Sequence, residues 1–543
     1  MSEQPKTMNR GMVVVGAILI QLCLGAIYAW SVFTPPLAAD TPADVVAIYG
    51  PEMLGIEADQ LKPLRSDMAA LDKRLEVLEK QYKNLKAGEE AMIEGAELTE
   101  GDYTRRRKDM ISEMVAVADT YDIRERVEAL QFGMTKAQTQ MIFAAGLATF
   151  AVVMVIAGRI MPKVGPRALA MAGGVVLGVG YLLAGLIDPG QFMTTFVFVG
   201  LIGGAGIGLG YVVPIAVGMK WFPDRKGLIT GLAVAGFGFG ALLWVKLAGR
   251  VQTVEWNGLI AMFGLGTTFI VYGVAFAVLC LIGALWMRNP PEGWLPPGYK
   301  PPEAAAAGQK PVAGTVDFTS GQMLKTPQFY MIFLCFVFGA GAGLMSIGLM
   351  KLFPKEALQS ASNLSAVEAS AVAGTAMAVF FSLANGIGRI AWGTLSDLLG
   401  RKLSIFLMLA TQGVLVIAFQ WMAGTPGLLY LGAALIGFNF GGNFALFPTI
   451  TADTFGTKYI GQNYGWVFLS YGVGGIFGPI LGGKLGDLDR FPLAFSICGA
   501  LCLVAAVIIA LVRHPQGVAE AVEPALVTEA KGEIDGALES NKS

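Results

Sequence analysis

Charge is what this chain has least of. Only 15% of its 543 residues are Asp, Glu, Lys or Arg, against about 25% in an ordinary soluble protein. The signs cancel, 39 basic against 40 acidic, so no basic field exists to attract nucleic-acid phosphates. Histidine occurs once, at His514, which leaves no material for a His-based triad or a zinc enzyme. The five cysteines, Cys23, Cys280, Cys335, Cys498 and Cys502, fall in apolar segments without metal-ligand spacing. They read as core or lipid-facing residues. The glycine ladder from Gly200 to Gly210 follows no strand and lies inside an apolar run, so it reads as helix packing and not as a nucleotide loop. These absences exclude a soluble enzyme, a disordered chain and a nucleic-acid binder, and they leave no metal or cofactor site.

What is present is apolar. Hydrophobic residues make up 54% of the chain, and mean hydropathy is +0.59. The 71 glycines are about twice the usual share and allow close helix packing in a bilayer. A helix needs about 20 apolar residues to cross. Runs without charge cover 11–39, 137–158, 168–187, 189–219, 227–245, 256–287, 326–350, 369–388, 403–452, 459–483 and 491–512. The run 403–452 is too long for one span and breaks at Ala423-Gly424-Thr425-Pro426-Gly427, a turn signal. The expected fold is an all-α membrane protein with twelve transmembrane helices. The first run continues through Pro35-Pro36 without a small-residue cleavage pattern, so it reads as a span and not as a signal peptide.

The charge that exists is concentrated. Between Asp40 and Lys136, 35 of 97 residues are charged. The chain therefore divides into a first helix (11–37), a polar insert (38–136), the remainder of a first six-helix half (137–287), a Pro/Ala/Gly-rich linker (288–327), a second half (328–512) and a tail (513–543). Within the insert, Met68, Leu71, Leu75, Leu78, Tyr82 and Leu85 recur at heptad spacing, as do Met110, Met114, Val117 and Tyr121. This spacing predicts a coiled-coil-like hairpin, 104–131 returning against 60–87. With the N-terminus inside, the short inner loops hold nine Lys and Arg, and the short outer loops hold five. That asymmetry puts both termini in the cytoplasm of a cell (inner) membrane and the insert outside. The hairpin reads as a docking arm for a protein partner, as a gate, or as a tolerated insertion.

The halves repeat. Gly158 to Arg167 after the second span matches Gly393 to Lys402 after the eighth, and Phe222-Pro223 matches Phe447-Pro448. Two repeated halves around a midplane site are the architecture of alternating access. Arg389 interrupts an apolar run, and a buried arginine in a bilayer costs several kcal/mol unless it is paired or functional. Its planar fork suits a carboxylate. Asn385 precedes it by four residues, hence on the same face.

The segment Gly393-Thr394-Leu395-Ser396-Asp397-Leu398-Leu399-Gly400-Arg401-Lys402 resembles the loop signature of the major facilitator superfamily. Gly25 to Phe33, Lys220 to Gly231, Lys325-Thr326-Pro327-Gln328-Phe329, Phe447 to Lys458 and Asn463-Tyr464-Gly465 are similar to the oxalate/formate antiporter family and its bacterial monocarboxylate-transporter relatives. The resemblance covers 11–37 and 137–512 and leaves out the insert. It implies a gating motif of Gly393, Asp397, Gly400 and Arg401. The family commonly carries a second acid where Pro162 stands, which implies a latch resting on Asp397 alone. It implies a substrate site of Arg389, Asn385 and the aromatic residues Tyr28, Tyr211 and Tyr471. For the tyrosines the alternative is plain helix packing, with the hydroxyl on a backbone carbonyl. Oxalate-specific members pair the arginine with a lysine whose place here is Tyr471. One cation in place of two suits a singly charged carboxylate such as lactate, pyruvate or formate.

The expected function is a secondary carrier of small monocarboxylates working by alternating access and coupled to protons. Glu368 and Lys351 are the titratable candidates near the outer ends of spans. The alternatives are an oxalate/formate-type exchanger and a non-transporting carboxylate sensor. The partners are a small carboxylate anion, a proton or counter-anion, and the lipid bilayer.

Overall fold

A computed structural model describes residues 8–37, parts of 74–83 and 105–115, 134–249, 258–299 and 317–515, apart from a few single positions. Among these residues every regular element is helical. Helix α1 runs Arg10–Leu24 and tightens into a 3-10 stretch, Gly25–Val32. It is followed by α2 (Lys136–Val164), α3 (Pro166–Ile187), α4 (Phe192–Trp221), α5 (Lys226–Ala248) and α6 (Leu259–Ala284). The second half holds α7 (Pro327–Leu349), α8, α9 (Arg401–Met422), α10 (Pro426–Phe455), α11 (Ile460–Gly486) and α12 (Phe491–Leu511). Helix α8 is the continuous run 366–399, made of Ala366–Thr375, a π-helical turn Ala376–Phe381 and Ser382–Leu399. Among the described residues, eleven helices are each long and apolar enough to cross a membrane. With α8, whose apolar run Asn385, Arg389 and Asp397 interrupt, they make the twelve expected from the sequence.

Local chemistry sets the ends. Asn9 caps α1 by accepting from Gly11 N at 2.9 Å. Thr135 and Gln138 form a capping box at the start of α2, which satisfies two otherwise orphaned donors. Proline in the first turn opens α3, α7, α10 and α12, where its missing N–H costs nothing. Helices α2 and α8 both end on a left-handed glycine, Gly165 at φ 88° and Gly400 at φ 86°. No neighbour crowds either one, so the backbone sign alone demands glycine.

Packing repeats as the sequence does. In the first half α3 lies on α6, α1 on α5 and α2 on α4; in the second, α9 lies on α12, α7 on α11 and α8 on α10. The halves meet along α5–α8 and α2–α11, pairs that the same repeat relates. Gly158 on α2 lies so near α11 that a Cβ there would sit 2.2 Å from the Gly461 carbonyl. Outward faces carry exposed apolar residues such as Val152, Ile156, Leu186 and Ile187, as a lipid-facing surface requires.

The linker is held against the body at both ends. Residues 288–299 dock on the body: Trp221 Nε1 donates to the Arg288 carbonyl at 2.7 Å, and Trp294 meets Trp221 with ring centroids 4.7 Å apart. Two turns with left-handed Gly293 and Gly298 fold this stretch. Its far end is fixed by Asn463 Nδ2, which donates to the Phe318 carbonyl at 2.8 Å. Its proline and glycine build turns that present Trp294 for docking. Residues 301–316 lie outside the described residues. So does most of the insert, including Leu75 and Tyr82 of the heptad seam and the segment joining its two arms. The described pieces are helical, Leu78 is buried, and Arg74 is ion-paired with Glu113 across the two arms.

Candidate functional site

Arg389 sits on α8, about two turns beyond the π-helical segment, and is 0% exposed. Among the described residues it is the one charged side chain in the fully buried set. Its fork is partly committed. Nε donates to Asn385 Oδ1 at 3.0 Å, one turn back on the same face. Nη1 donates to the Val234 carbonyl of α5 at 2.9 Å, across the boundary between the halves. The guanidinium lies over Phe444, 4.2 Å from its centroid, a contact that partly offsets desolvation. Nη2 is buried and has no hydrogen-bond partner. A buried donor to a charged partner is worth about 1.5–3 kcal/mol when satisfied, so this atom is free to take a further acceptor.

Glycine makes the approach feasible. A Cβ at Gly231 on α5 would lie 2.4 Å from the Arg389 carbonyl, and one at Gly238 would lie 3.1 Å from Gly386 Cα. Only bare backbone lets α5 reach the helix that carries the arginine.

The expected site residues gather here. Tyr28, from the 3-10 stretch of α1, and Tyr471, from α11, share a 2.5 Å hydroxyl–hydroxyl hydrogen bond that joins the halves. Tyr211 on α4 packs against Phe237 at 5.4 Å and Phe468 at 5.2 Å. Its hydroxyl is buried without a partner. The alternative of a hydroxyl resting on a helix carbonyl therefore describes neither arrangement. Tyr464, Phe237, Phe444 and Phe468 complete the aromatic wall. Tyr464 stood in the Asn-Tyr-Gly stretch of the sequence, but its place beside Arg389 depends on how α11 is rotated. The rings close around the one charged side chain that is fully buried among the described residues.

Asn439 on α10 is held by structural partners. It accepts from Trp392 Nε1 at 3.1 Å and donates to Thr411 Oγ1 at 3.1 Å. Glu368 is exposed in the first turn of α8. It stands 21 residues before Arg389, about 30 Å along the helix, so it does not join the site. Lys351 lies outside the described residues.

The expected gating motif lies at one end of the halves' boundary, where polar contacts latch the halves together. Asp397 accepts from Gly227 N at 2.9 Å and Leu228 N at 2.8 Å. These are free donors at the positive N-terminal end of α5. Arg401 binds Asp397 at 2.6 Å and reaches Asp453 on α10 at 2.9 Å. Lys226 binds the other Asp453 oxygen at 2.8 Å. The expectation of a latch on Asp397 alone is thus corrected. Asp453 is a second acid, held between one cation from each half. Gly393 faces Gly227 backbone to backbone, and Gly400 ends α8 so that Arg401 can turn back. Asp453→Asn removes the anion between Lys226 and Arg401 while sparing the Asp397 contacts. Maleimide labelling of a Thr230→Cys probe, one turn inside the latch, is expected to rise in that background. The five native cysteines are all buried, which keeps the background low. Unchanged labelling would show that Asp453 does not hold this end closed.

A family model described as Major Facilitator Superfamily matches residues 125–379 and 352–532. The chain belongs to the Major Facilitator Superfamily. Its twelve helices, half-repeat and loop motif are those of this superfamily's transporters, and the chain is a transporter and not an enzyme. It is 27% identical over 349 residues to the oxalate:formate antiporter of Oxalobacter formigenes, which covers 64% of this chain and 76% of that protein. It is 26% identical over 370 residues to apicoplast pyruvate carrier 1 of Toxoplasma gondii, covering 60% and 66%. The crystal structure of the human organic anion transporter MFSD10 superposes with a TM-score of 0.52 at 12% identity, covering 93% of this chain and all of that one. That likeness is one of fold.

Proposed function

We propose that this superfamily member carries small monocarboxylate anions of the lactate, pyruvate or formate type, with Arg389 as the anion anchor. The observation that carries the reading is the unpartnered Nη2 of a fully buried arginine between the halves. Relatives named for oxalate, formate and pyruvate support the carboxylate class. A monoanion is favoured over a dianion because one buried cation matches one negative charge, and a second carboxylate would stand desolvated against aromatic rings. Substrate exchange between the halves proceeds by rocking about the α5–α8 and α2–α11 seams. Both termini lie in the cytoplasm, the latch end faces inward, and the insert lies outside.

Proton coupling is part of the proposal. On α8 the nearest acid to Arg389 is Asp397, two turns on and held in the latch. The proton therefore enters with the substrate and not on a neighbouring carboxylate. Uptake of labelled lactate, pyruvate, formate and oxalate into proteoliposomes, with and without an inward proton gradient, tests this. Monocarboxylate uptake is expected to rise with the gradient, and oxalate uptake is expected to be weak. Gradient-independent uptake that requires internal anion would favour exchange, the second reading. Saturable binding with no uptake would identify a sensor.

A further inference from the structure

Two phenols near Arg389 make no hydrogen bond of normal geometry. Tyr211 on α4 and Tyr464 on α11 are each no more than 1% exposed, and neither Oη has a partner. Their rings flank Phe468, at 5.2 Å and 5.7 Å between centroids. Each hydroxyl lies within electrostatic reach of the other and of the Arg389 guanidinium. Tyr28 and Tyr471, by contrast, satisfy each other. Packing gives no reason for the unpaired hydroxyls. Phenylalanine would fill the same volume without burying an unsatisfied polar group. The two phenols also come from opposite halves.

We propose that Tyr464, opposed by Tyr211, is a specificity-determining hydroxyl that reads an oxygen on the carbon next to the substrate carboxylate. The preferred cargo is then a 2-oxo or 2-hydroxy monocarboxylate. The inference rests on the reading of Arg389 as anion anchor. One carboxylate oxygen takes Arg389 Nη2. The neighbouring oxygen accepts from one phenol, and a 2-hydroxyl also donates to the other, since a phenol both donates and accepts. The remaining methyl meets the Phe468 and Phe444 rings. An acid lacking that oxygen leaves both phenols unpaired when the halves close. A site built to bond a substrate hydroxyl discriminates most strongly against an analogue without it for this reason.

The test compares pyruvate, lactate and propionate, the last being lactate without its hydroxyl. Uptake kinetics are measured in proteoliposomes for wild type, Tyr464→Phe and Tyr211→Phe. Wild type is expected to prefer the oxygenated acids over propionate. In Tyr464→Phe that preference falls roughly tenfold, through the KM of pyruvate and lactate, while the KM of propionate stays put. An unchanged preference in Tyr464→Phe, or a wild type that accepts propionate as well as lactate, overturns the proposal. Thermal unfolding adds a readout independent of transport. Ligand-free Tyr464→Phe is expected to be at least as stable as wild type, with a smaller stabilisation by pyruvate. A destabilised empty carrier with full stabilisation by pyruvate would mean a structural hydroxyl and would also overturn it. Loss of pyruvate binding in Arg389→Lys, with unaltered selectivity in Tyr464→Phe, keeps the anchor and removes only the phenol. A wild type that binds none of the three acids removes both.

Discussion

Arg389→Lys inserts in the membrane and loses carboxylate uptake by roughly a hundred- to ten-thousand-fold. The range is two charge-assisted hydrogen bonds at about 1.5–3 kcal/mol each, converted at 1.4 kcal/mol per tenfold. Lysine keeps the charge but not the fork. In the native site one guanidinium does three things at once: it holds Asn385 through Nε, holds the Val234 carbonyl through Nη1, and keeps Nη2 free. A single ammonium on a flexible stem cannot hold both acceptors and still face a third. The Val234 contact ties α8 to α5, so the substitution weakens both the anchor and the seam through which binding at one half is felt at the other. The check is proteoliposome uptake of labelled pyruvate, with the amount of inserted protein measured in parallel. Uptake within a fewfold of wild type would remove Arg389 from the binding site.

Gly393→Val is expected to abolish turnover while preserving ligand binding. A Cβ at position 393 would lie 2.3 Å from the Gly227 carbonyl oxygen and 3.0 Å from its carbon. Both atoms are backbone, so no rotamer change relieves the clash. Overpacking of this kind costs about 1–3 kcal/mol or more, and 3 kcal/mol lowers the closed population by about a hundredfold. The halves would then separate at the latch, pulling Gly227 N and Leu228 N away from Asp397. A transporter that cannot close one end still binds its ligand from that end. Pyruvate-dependent stabilisation should therefore survive while uptake falls, and a Thr230→Cys probe should label more readily. Normal uptake by Gly393→Val would show that this seam does not need to close.

These two positions also show where reading the sequence succeeds and where it stops. Twelve spans and the turn at 423–427 follow from hydropathy, because the bilayer forces every backbone polar group into a helix and sets its minimum length. Arg389 stood out for the same reason, since a charge in an apolar run has few structural excuses. Asn385 followed from helical spacing alone. Asp397, Gly400 and Arg401 were visible as a motif, and Gly400 has the backbone geometry that only glycine adopts readily.

Tertiary structure decided the rest, because it depends on how helices are rotated and which of them meet. Asp453 sits at the end of a long apolar run, and nothing local says that it receives Arg401 from its own half and Lys226 from the other. Tyr464 and Tyr471 are seven residues apart on one helix, yet one is hydrogen-bonded to Tyr28 and the other has no partner. Nothing in the linker's composition says that Trp294 packs against Trp221. The sequence by itself determined a twelve-helix body with scarce charge and one buried cation, through the low solvating power of the bilayer. Only the tertiary structure decided that three of that cation's neighbours are hydroxyls and a carbonyl from the opposite half, because contacts across a boundary leave no period in either strand of chain that makes them.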